Sequence, residues 1–84
     1  MITVATVPNC QQCRATIKRL TNAGHPPRTT NYQEDKTAQD IAIRNNWTSA
    51  PVVYATNNNG DVIHSWHGYN PHTIDLAIQT GYAN

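Results

Sequence analysis

ITVATVPNCQQC, at residues 2–13, is the stretch of sequence that decides the fold of this chain. Its first half, residues 2–7, is rich in β-branched side chains, which favours a β-strand. The pair Pro8-Asn9 ends that strand. From Cys10 onward a helical pattern follows, with an inner stripe at Cys13, Ile17 and Leu20. The stretch therefore predicts a strand that turns directly into a helix, with two cysteines at the junction.

The segment after this junction predicts a second strand and a second helix. Gly24 ends the first helix where a left-handed cap residue is wanted, and the prolines of residues 25–27 forbid its continuation. Residues 28–32 are rich in threonine and predict a weak strand. Thr37 and Asp40 resemble an N-terminal capping pair, so the second helix is expected to begin there.

The C-terminal part of the chain predicts a β-hairpin followed by a helix. Residues 51–55 and 61–66 have the character of paired strands, and the segment Asn57-Asn58-Asn59-Gly60 between them supplies the positive-φ residues of a tight turn. Asn70 is expected to cap a last helix that has Pro71 in its first turn. Gly81 is expected to end it.

The predicted element order is β-α-β-α-β-β-α, which places the chain in the α/β class. A helix joins the first two strands, so they should be parallel, whereas the last two form an antiparallel hairpin. The economical arrangement is one four-stranded mixed sheet with helices on both faces. Residues 1–84 are expected to form a single domain, because 84 residues and 9.3 kDa fit only one.

Charge and hydropathy argue against several classes of function. Six Lys and Arg against five Asp and Glu leave a formal charge of +1, so we expect no nucleic-acid partner. No apolar run approaches the roughly 20 residues of a membrane span, so we expect no membrane partner. Residues 1–7 are too short and too polar for a signal sequence, which predicts a cytoplasmic protein.

The two cysteines, Cys10 and Cys13, carry the candidate chemistry. At a helix N-terminus the first N–H groups are unpaired and the dipole is positive, so the pKa of Cys10 should fall below the free value of about 8.5. Cys13 lies roughly one turn further on and on the inner stripe, so it should be the more buried of the two. We therefore expect Cys10 to attack a substrate disulfide, and Cys13 to attack Cys10 and release the reduced product.

A zinc site is the rival interpretation of this cysteine pair. The sequence has no further cysteine, so histidines would have to complete the site. His67 and His72 have a suitable mutual spacing, but they lie far from the cysteines along the chain. All four histidines, which include His25 and His64, are more simply interpreted as surface residues. Because the cysteines lie where a strand meets a helix, redox work is favoured, and we expect neither a metal nor a cofactor.

Three segments of the sequence resemble the motifs of one family. MITV at residues 1–4 with PNCQQC at residues 8–13, SAPVV at residues 49–53 and WHGYNP at residues 66–71 are similar to motifs of the glutaredoxin-like NrdH redoxins. These redoxins are thioredoxin-fold proteins that donate electrons to class Ib ribonucleotide reductase. The resemblance therefore implies a thioredoxin fold and a thiol–disulfide oxidoreductase.

The resemblance also implies roles for individual residues. Cys10 resembles the attacking cysteine and Cys13 the resolving one. Pro51 resembles the cis-proline that faces the disulfide, although a trans proline that opens an edge strand is the alternative. In this family the residue before the cis-proline pairs through its backbone with an extended substrate peptide, a role that falls to Ala50.

A third motif is implied to shape the docking surface beside the active site. Its aromatic-Gly-aromatic segment corresponds to Trp66, Gly68 and Tyr69. The alternative for Trp66 and Tyr69 is that they fill the core of a protein that has no Phe, and one large aromatic side chain can serve both purposes.

Two departures from the family pattern bear on the partners. Val7 stands where the family usually has a lysine, which removes a positive charge near Cys10 and a common anchor for a glutathione carboxylate. Gly68 is followed by Tyr69-Asn70 instead of the acidic segment with which glutaredoxins hold glutathione. We therefore expect a monomer that takes electrons from thioredoxin reductase and NADPH and reduces the disulfide of the C-terminal tail of ribonucleotide reductase.

Three alternatives stay open at the level of sequence. A general protein-disulfide reductase shares the same mechanism, and a glutathione-dependent glutaredoxin differs only in the source of electrons. A metal-binding or iron–sulfur-binding module that uses Cys10 and Cys13 is less favoured.

Overall fold

Strands and helices follow one another in the order that the sequence predicts. The computed structural model of the protein describes residues 1–82. Its elements are β1 Ile2–Thr6, α1 Gln11–Asn22, β2 Arg28–Asn31, α2 Lys36–Asn45, β3 Val52–Thr56, β4 Val62–His67 and α3 Pro71–Gln79. A short 3-10 helix at Tyr32–Glu34, which the sequence analysis did not predict, precedes α2. Across residues 1–82, each helix is too short or too polar to span a bilayer.

The four strands form one mixed sheet in the order β2-β1-β3-β4. β1 and β2 are parallel, and β3 is antiparallel to both β1 and β4, so the predicted thioredoxin-like arrangement is confirmed. Ala5, near the end of β1, lies opposite Val52, at the start of β3. The segments that follow β1 and precede β3 therefore meet at the same end of the sheet.

Helices cover both faces of the sheet, as predicted. Alternate residues of a strand point to opposite faces, so each strand contributes to two cores. The face under α1 and α3 buries a cluster of eight residues: Ile2, Val4, Leu20, Val53, Ala55, Trp66, Ile74 and Ala77. The face under α2 buries a smaller cluster: Ala5, Ala38, Ile41, Ala42, Val52 and Tyr54.

Helix α2 begins one residue before the predicted capping pair. The predicted cap at Thr37 with Asp40 is wrong, because the carboxylate of Asp35 accepts the N–H of Ala38 at 3.0 Å and caps a helix that starts at Lys36. Asp35 is a strong capping residue in its own right and comes first along the chain.

The hairpin between β3 and β4 is a turn with a bulge. Of the four residues in the segment predicted to supply positive φ angles, only Gly60 has one, +85°. The side chain of Asn57 instead accepts the N–H groups of Asn59 and Asp61, both at 3.0 Å. The register between β3 and β4 shifts by one residue at Ala55/Thr56.

This bulge decides which side chains of β4 face which core. The pairing Thr56–Val62, continued without a shift, would place Ser65 opposite Val53. The shift places Trp66 there instead, so Trp66 joins the core under α1 and α3. The next residue along β4, His67, consequently faces the α2 side of the sheet.

Candidate active site

The two cysteines lie where the chain leaves β1 and enters α1. Asn9 has a φ of +57°, a left-handed conformation that asparagine tolerates better than most residues. This turn brings Cys10 to the N-cap of α1 in an extended conformation. The sulfur of Cys10 accepts the backbone N–H of Cys13 at 3.0 Å, so the helix end provides a donor to the sulfur as the sequence suggested.

Cys10 and Cys13 are joined by a disulfide, with their Cα atoms 5.2 Å apart. Cys10 is half-buried, whereas Cys13 is only 2% exposed. The expected difference in burial between the two residues is therefore present. In an oxidised pair with one accessible and one buried member, a partner thiolate can attack the accessible sulfur and release the buried one as a thiolate.

Pro51 lies at the same end of the sheet as the disulfide. The Ala50–Pro51 peptide bond is cis, as predicted. Pro51 is buried, and its carbonyl accepts the N–H of Gly68 at 2.9 Å. Ala50 is half-buried, and within residues 1–82 its backbone N–H and C=O have no hydrogen-bond partner.

The third predicted motif divides between the core and the surface. Trp66 is 5% exposed and packs in the core, so the core role given as the alternative is the one that its burial supports. Tyr69 is 40% exposed. Gly68 has a φ of +73°, and a Cβ placed on it would lie 3.6 Å from the Gln12 side-chain oxygen. The segment thus approaches the first turn of α1, next to the cysteines.

A cluster that the sequence analysis missed adjoins the cis-proline. The rings of Trp47 and His67 are stacked, with centroids 4.7 Å apart and planes inclined by 23°. The Nδ1 atom of His67 lies 2.9 Å from the Oγ atom of Ser49, within hydrogen-bond distance. The sequence interpretation treated all four histidines as surface residues, so it did not predict these contacts of His67. The only sequence feature that pointed to them was the position of His67 directly after Trp66 on a paired strand.

The same segment lines a small cavity of about 130 Å³. Its walls come from the turn after β1, from the 3-10 helix, from the segment before β3 and from the first residue of β3: Val7, Tyr32, Trp47, Thr48, Ser49, Ala50 and Val52. The cavity therefore lies between the two segments that flank the disulfide and the cis-proline.

A cluster of hydrogen-bonded polar side chains lies on the α2 side of the sheet, around Asp35 and Tyr54. Burial by itself would raise the pKa of the Asp35 carboxyl, but hydrogen bonds from Thr30, the Ala38 N–H and Tyr54 outweigh it and leave that pKa below its usual value. Burial and the bond to Asp35 raise the pKa of the Tyr54 hydroxyl. Arg28 lies 3.4 Å from the same hydroxyl.

An ion pair joins α1 to α3. Arg19 donates two hydrogen bonds to the Asp75 carboxylate, at 3.0 and 2.8 Å. These bonds lower the pKa of Asp75 and raise that of Arg19. In residues 1–82 no three His, Cys, Asp or Glu side chains form a group that could hold a metal ion.

Comparisons with known proteins agree on the kind of protein. The family model for glutaredoxin matches residues 2–61. No curated protein sequence matches the chain. Among solved structures, the glutaredoxin-like NrdH-redoxin from Escherichia coli is 28% identical, with a TM-score of 0.70 over 89% of this chain and 91% of that one.

Two thioredoxins share the fold at lower identity. A thioredoxin from Plasmodium falciparum is 15% identical, with a TM-score of 0.66 over 94% of this chain and 82% of its own. Mitochondrial thioredoxin 3 from Saccharomyces cerevisiae is 20% identical, with a TM-score of 0.61 over 94% of this chain and 77% of its own. The predicted resemblance to a glutaredoxin-like NrdH redoxin is thus confirmed by the family match and the Escherichia coli structure together.

Proposed function

This chain belongs to the glutaredoxin family, and from that premise we propose that it carries electron pairs from thioredoxin reductase and NADPH to ribonucleotide reductase. It is a dithiol–disulfide oxidoreductase of that family. The observation that carries the proposal is the Cys10–Cys13 disulfide at the start of a helix, with only Cys10 accessible.

The proposed reaction uses the two sulfurs in turn. In the reduced protein the thiolate of Cys10 attacks one sulfur of a substrate disulfide, which forms a mixed disulfide and releases the other substrate sulfur as a thiolate. The sulfur of Cys13, after loss of its proton, then attacks Cys10. This step forms the Cys10–Cys13 disulfide and releases the second substrate thiolate. Two electrons pass to the substrate, and two electrons from NADPH through the reductase restore the dithiol.

The substrate is proposed to dock at the cis-proline end of the sheet. The unpaired backbone groups of Ala50 are available to an extended peptide, and the Gly68 N–H holds Pro51 at the end of the sheet that carries the disulfide. We propose that Tyr69, which is 40% exposed and lines a cavity with Lys18 and Arg19 of α1, offers an aromatic surface to the same partner. The acceptor proposed here is the disulfide in the C-terminal tail of ribonucleotide reductase, since a mobile tail can supply an extended peptide.

Two features support thioredoxin reductase over glutathione as the source of electrons. Val7 puts an apolar side chain in the wall of the cavity beside Ala50, where a carboxylate of glutathione would need a positive charge. The similar NrdH-redoxin from Escherichia coli, although glutaredoxin-like, has a thioredoxin-like activity profile. We further propose that the chain acts as one domain, as a monomer, in the cytoplasm and without a nucleic-acid partner.

Consumption of NADPH distinguishes the electron sources. The protein is supplied either with thioredoxin reductase or with glutathione and its reductase, and oxidised class Ib ribonucleotide reductase or insulin serves as the acceptor. We expect rapid consumption with thioredoxin reductase, little with glutathione, and none above background for Cys10→Ser. A preference for ribonucleotide reductase over insulin supports a dedicated donor.

Other outcomes of this assay contradict parts of the proposal. Equal rates with both acceptors would indicate a general protein-disulfide reductase. Turnover that depends on glutathione alone would indicate a glutathione-dependent glutaredoxin instead.

A further inference from the structure

His67 joins two parts of the segment that leads to the cis-proline. We call residues 47–50 the docking loop, because they connect α2 to Pro51 and end at Ala50. The ring of His67 stacks on Trp47 at one end of this loop, and its Nδ1 lies 2.9 Å from the Ser49 hydroxyl near the other end. One side chain therefore contacts the loop in two chemically different ways.

The backbone beside His67 holds the next part of the same segment. Gly68, which follows His67, donates its N–H to the carbonyl of Pro51 at 2.9 Å. His67, the last residue of β4, and the next residue thus hold Ser49 and Pro51, the neighbours of Ala50 on either side. Ala50 is fixed between them while its own backbone groups stay unpaired within residues 1–82.

Apart from His67, the docking loop is restrained mainly at Trp47, whose ring also packs against the core under α2. The N–H of Trp47 is bonded to the carbonyl of Ala42 at 2.9 Å, but in the described part of the chain the backbone N–H groups of Thr48, Ser49 and Ala50 have no partner. Thr48 and Ser49 are exposed. A loop of this kind samples several conformations unless side chains restrict it, and a partner that pairs with it must then overcome that freedom.

We propose that His67 is a positioning residue that pre-organises the docking loop for a peptide substrate, a role that rests on the proposed function. His67 does not touch the sulfurs in this scheme. It acts through Ser49 and Trp47, and its effect is confined to substrates that have a peptide backbone to pair with Ala50. A small disulfide without a peptide backbone reacts at Cys10 in the same way with or without this restraint.

Two variants of His67 each keep half of its contacts. His67→Phe keeps a ring that can stack on Trp47 but has no atom to bond with Ser49. His67→Gln keeps a polar group that can bond with Ser49 but cannot stack. Ser49→Ala removes the same hydrogen bond from the other side. Ser49 is exposed, so this substitution should change the free energy of unfolding little. A control on the same strand is His64→Phe, since His64 packs on Trp66 and Tyr82 on the opposite face of the sheet.

The test uses protein that has been reduced with dithiothreitol and then freed of it, in single-turnover reactions with insulin and with Ellman's reagent, a small aromatic disulfide. For His67→Phe and Ser49→Ala we expect the insulin concentration at half-maximal rate to rise by about three- to tenfold, with the limiting rate and the rate with Ellman's reagent unchanged. The double variant His67→Phe/Ser49→Ala should have the same half-maximal insulin concentration as either single variant, because both substitutions remove the same hydrogen bond. His67→Gln should retain part of the wild-type affinity, and His64→Phe all of it.

The outcomes separate this inference from the proposed function. Suppose that the wild type reduces both disulfides. If the variants then have the wild-type half-maximal insulin concentration, or if their reaction with Ellman's reagent is impaired by the same factor as their reaction with insulin, His67 does not position the loop. If the wild-type protein reduces neither disulfide, the proposed function fails and the positioning role fails with it.

Discussion

Cys10 and Cys13 are chemically identical residues that their surroundings make different. Cys10 caps α1, accepts the Cys13 N–H and is half-buried, whereas Cys13 is 2% exposed. A bulky protein disulfide can reach the first sulfur and not the second. The order of attack in the proposed mechanism follows from this difference in access.

Replacement of the buried cysteine should trap a reaction intermediate. Cys13→Ser leaves Cys10 able to attack a partner but leaves no sulfur to release it, so a mixed disulfide should accumulate at nearly one partner per chain. Non-reducing electrophoresis or intact-mass measurement would detect it. Cys10→Ser is the matched control and should trap little. If the trapped complex forms with Cys10→Ser and not with Cys13→Ser, the roles are reversed.

The residue at position 7 should tune the ionisation of Cys10. Val7→Lys adds a positive charge three residues before Cys10, which favours the thiolate over the thiol. We expect the pH midpoint for alkylation of Cys10 in the Cys13→Ser background to move to lower pH. Val62→Lys adds the same charge at the far end of β4 and should leave the midpoint in place. An unchanged or higher midpoint for Val7→Lys contradicts this electrostatic argument.

Single elements also depend on individual hydrogen bonds, and the start of α2 is the clearest case. Asp35 caps this helix and accepts bonds from Thr30 Oγ1 and from the buried Tyr54 hydroxyl, both at 2.7 Å. Asp35→Ala should lower the free energy of unfolding by about 2–3 kcal/mol, through the lost cap and the stranded hydroxyl. Asp40→Ala, an exposed change on the same helix, should stay within about 0.5 kcal/mol. Urea unfolding measures both, and equal effects would contradict the assigned cap.

The Asp35 carboxyl should make the free energy of unfolding depend on pH. Its pKa is lower in the folded protein than the roughly 3.9 of an unfolded aspartate, so its stabilisation is present above that pH and is lost as the pH falls through the folded value. Asp35→Asn retains a capping oxygen but does not titrate. The gap in unfolding free energy between wild type and Asp35→Asn should therefore shrink below about pH 4. A gap that stays constant from pH 7 down to about pH 2 would show that Asp35 does not gain stability from its charge.

The loop after β4 should combine a backbone requirement with a role at the site. Gly68 has a φ of +73°, so Gly68→Ala should lower the unfolding free energy by about 1–2 kcal/mol. Gly24→Ala, at a φ of +86° with open space around it, should lose a similar amount. Only Gly68→Ala should also slow insulin reduction by a few fold, because relief of its strain shifts the N–H that holds Pro51. Equal insulin rates for the two variants would remove Gly68 from the site.

At the scale of the whole molecule, local patterns were sufficient to predict most of the fold. β-branched runs, Gly24 with its following prolines, and the Asn70-Pro71 start of α3 all act within a few residues. The parallel and antiparallel pairings followed from connection lengths, and the cysteine pair at the strand–helix junction followed from the order of the elements.

The contacts that could not be predicted from the sequence depend on the register between β3 and β4. The bulge at Ala55/Thr56 turns Trp66 into the core and His67 toward Trp47 and Ser49. A register shift of one residue moves the side chains of a strand to the opposite face of the sheet, and no local pattern in the Asn-rich turn predicts such a shift. The contact between residues 47–49 and residue 67 is therefore visible only in the folded chain.

The most direct test is a redox titration of the wild-type protein in buffers of reduced and oxidised glutathione, with free thiols labelled and counted by mass. We expect a single two-electron transition in which Cys10 and Cys13 gain or lose their labels together, at a potential between about −270 and −120 mV. Labels that appear on one cysteine without the other, or a pair that mild reductant does not open, would contradict it.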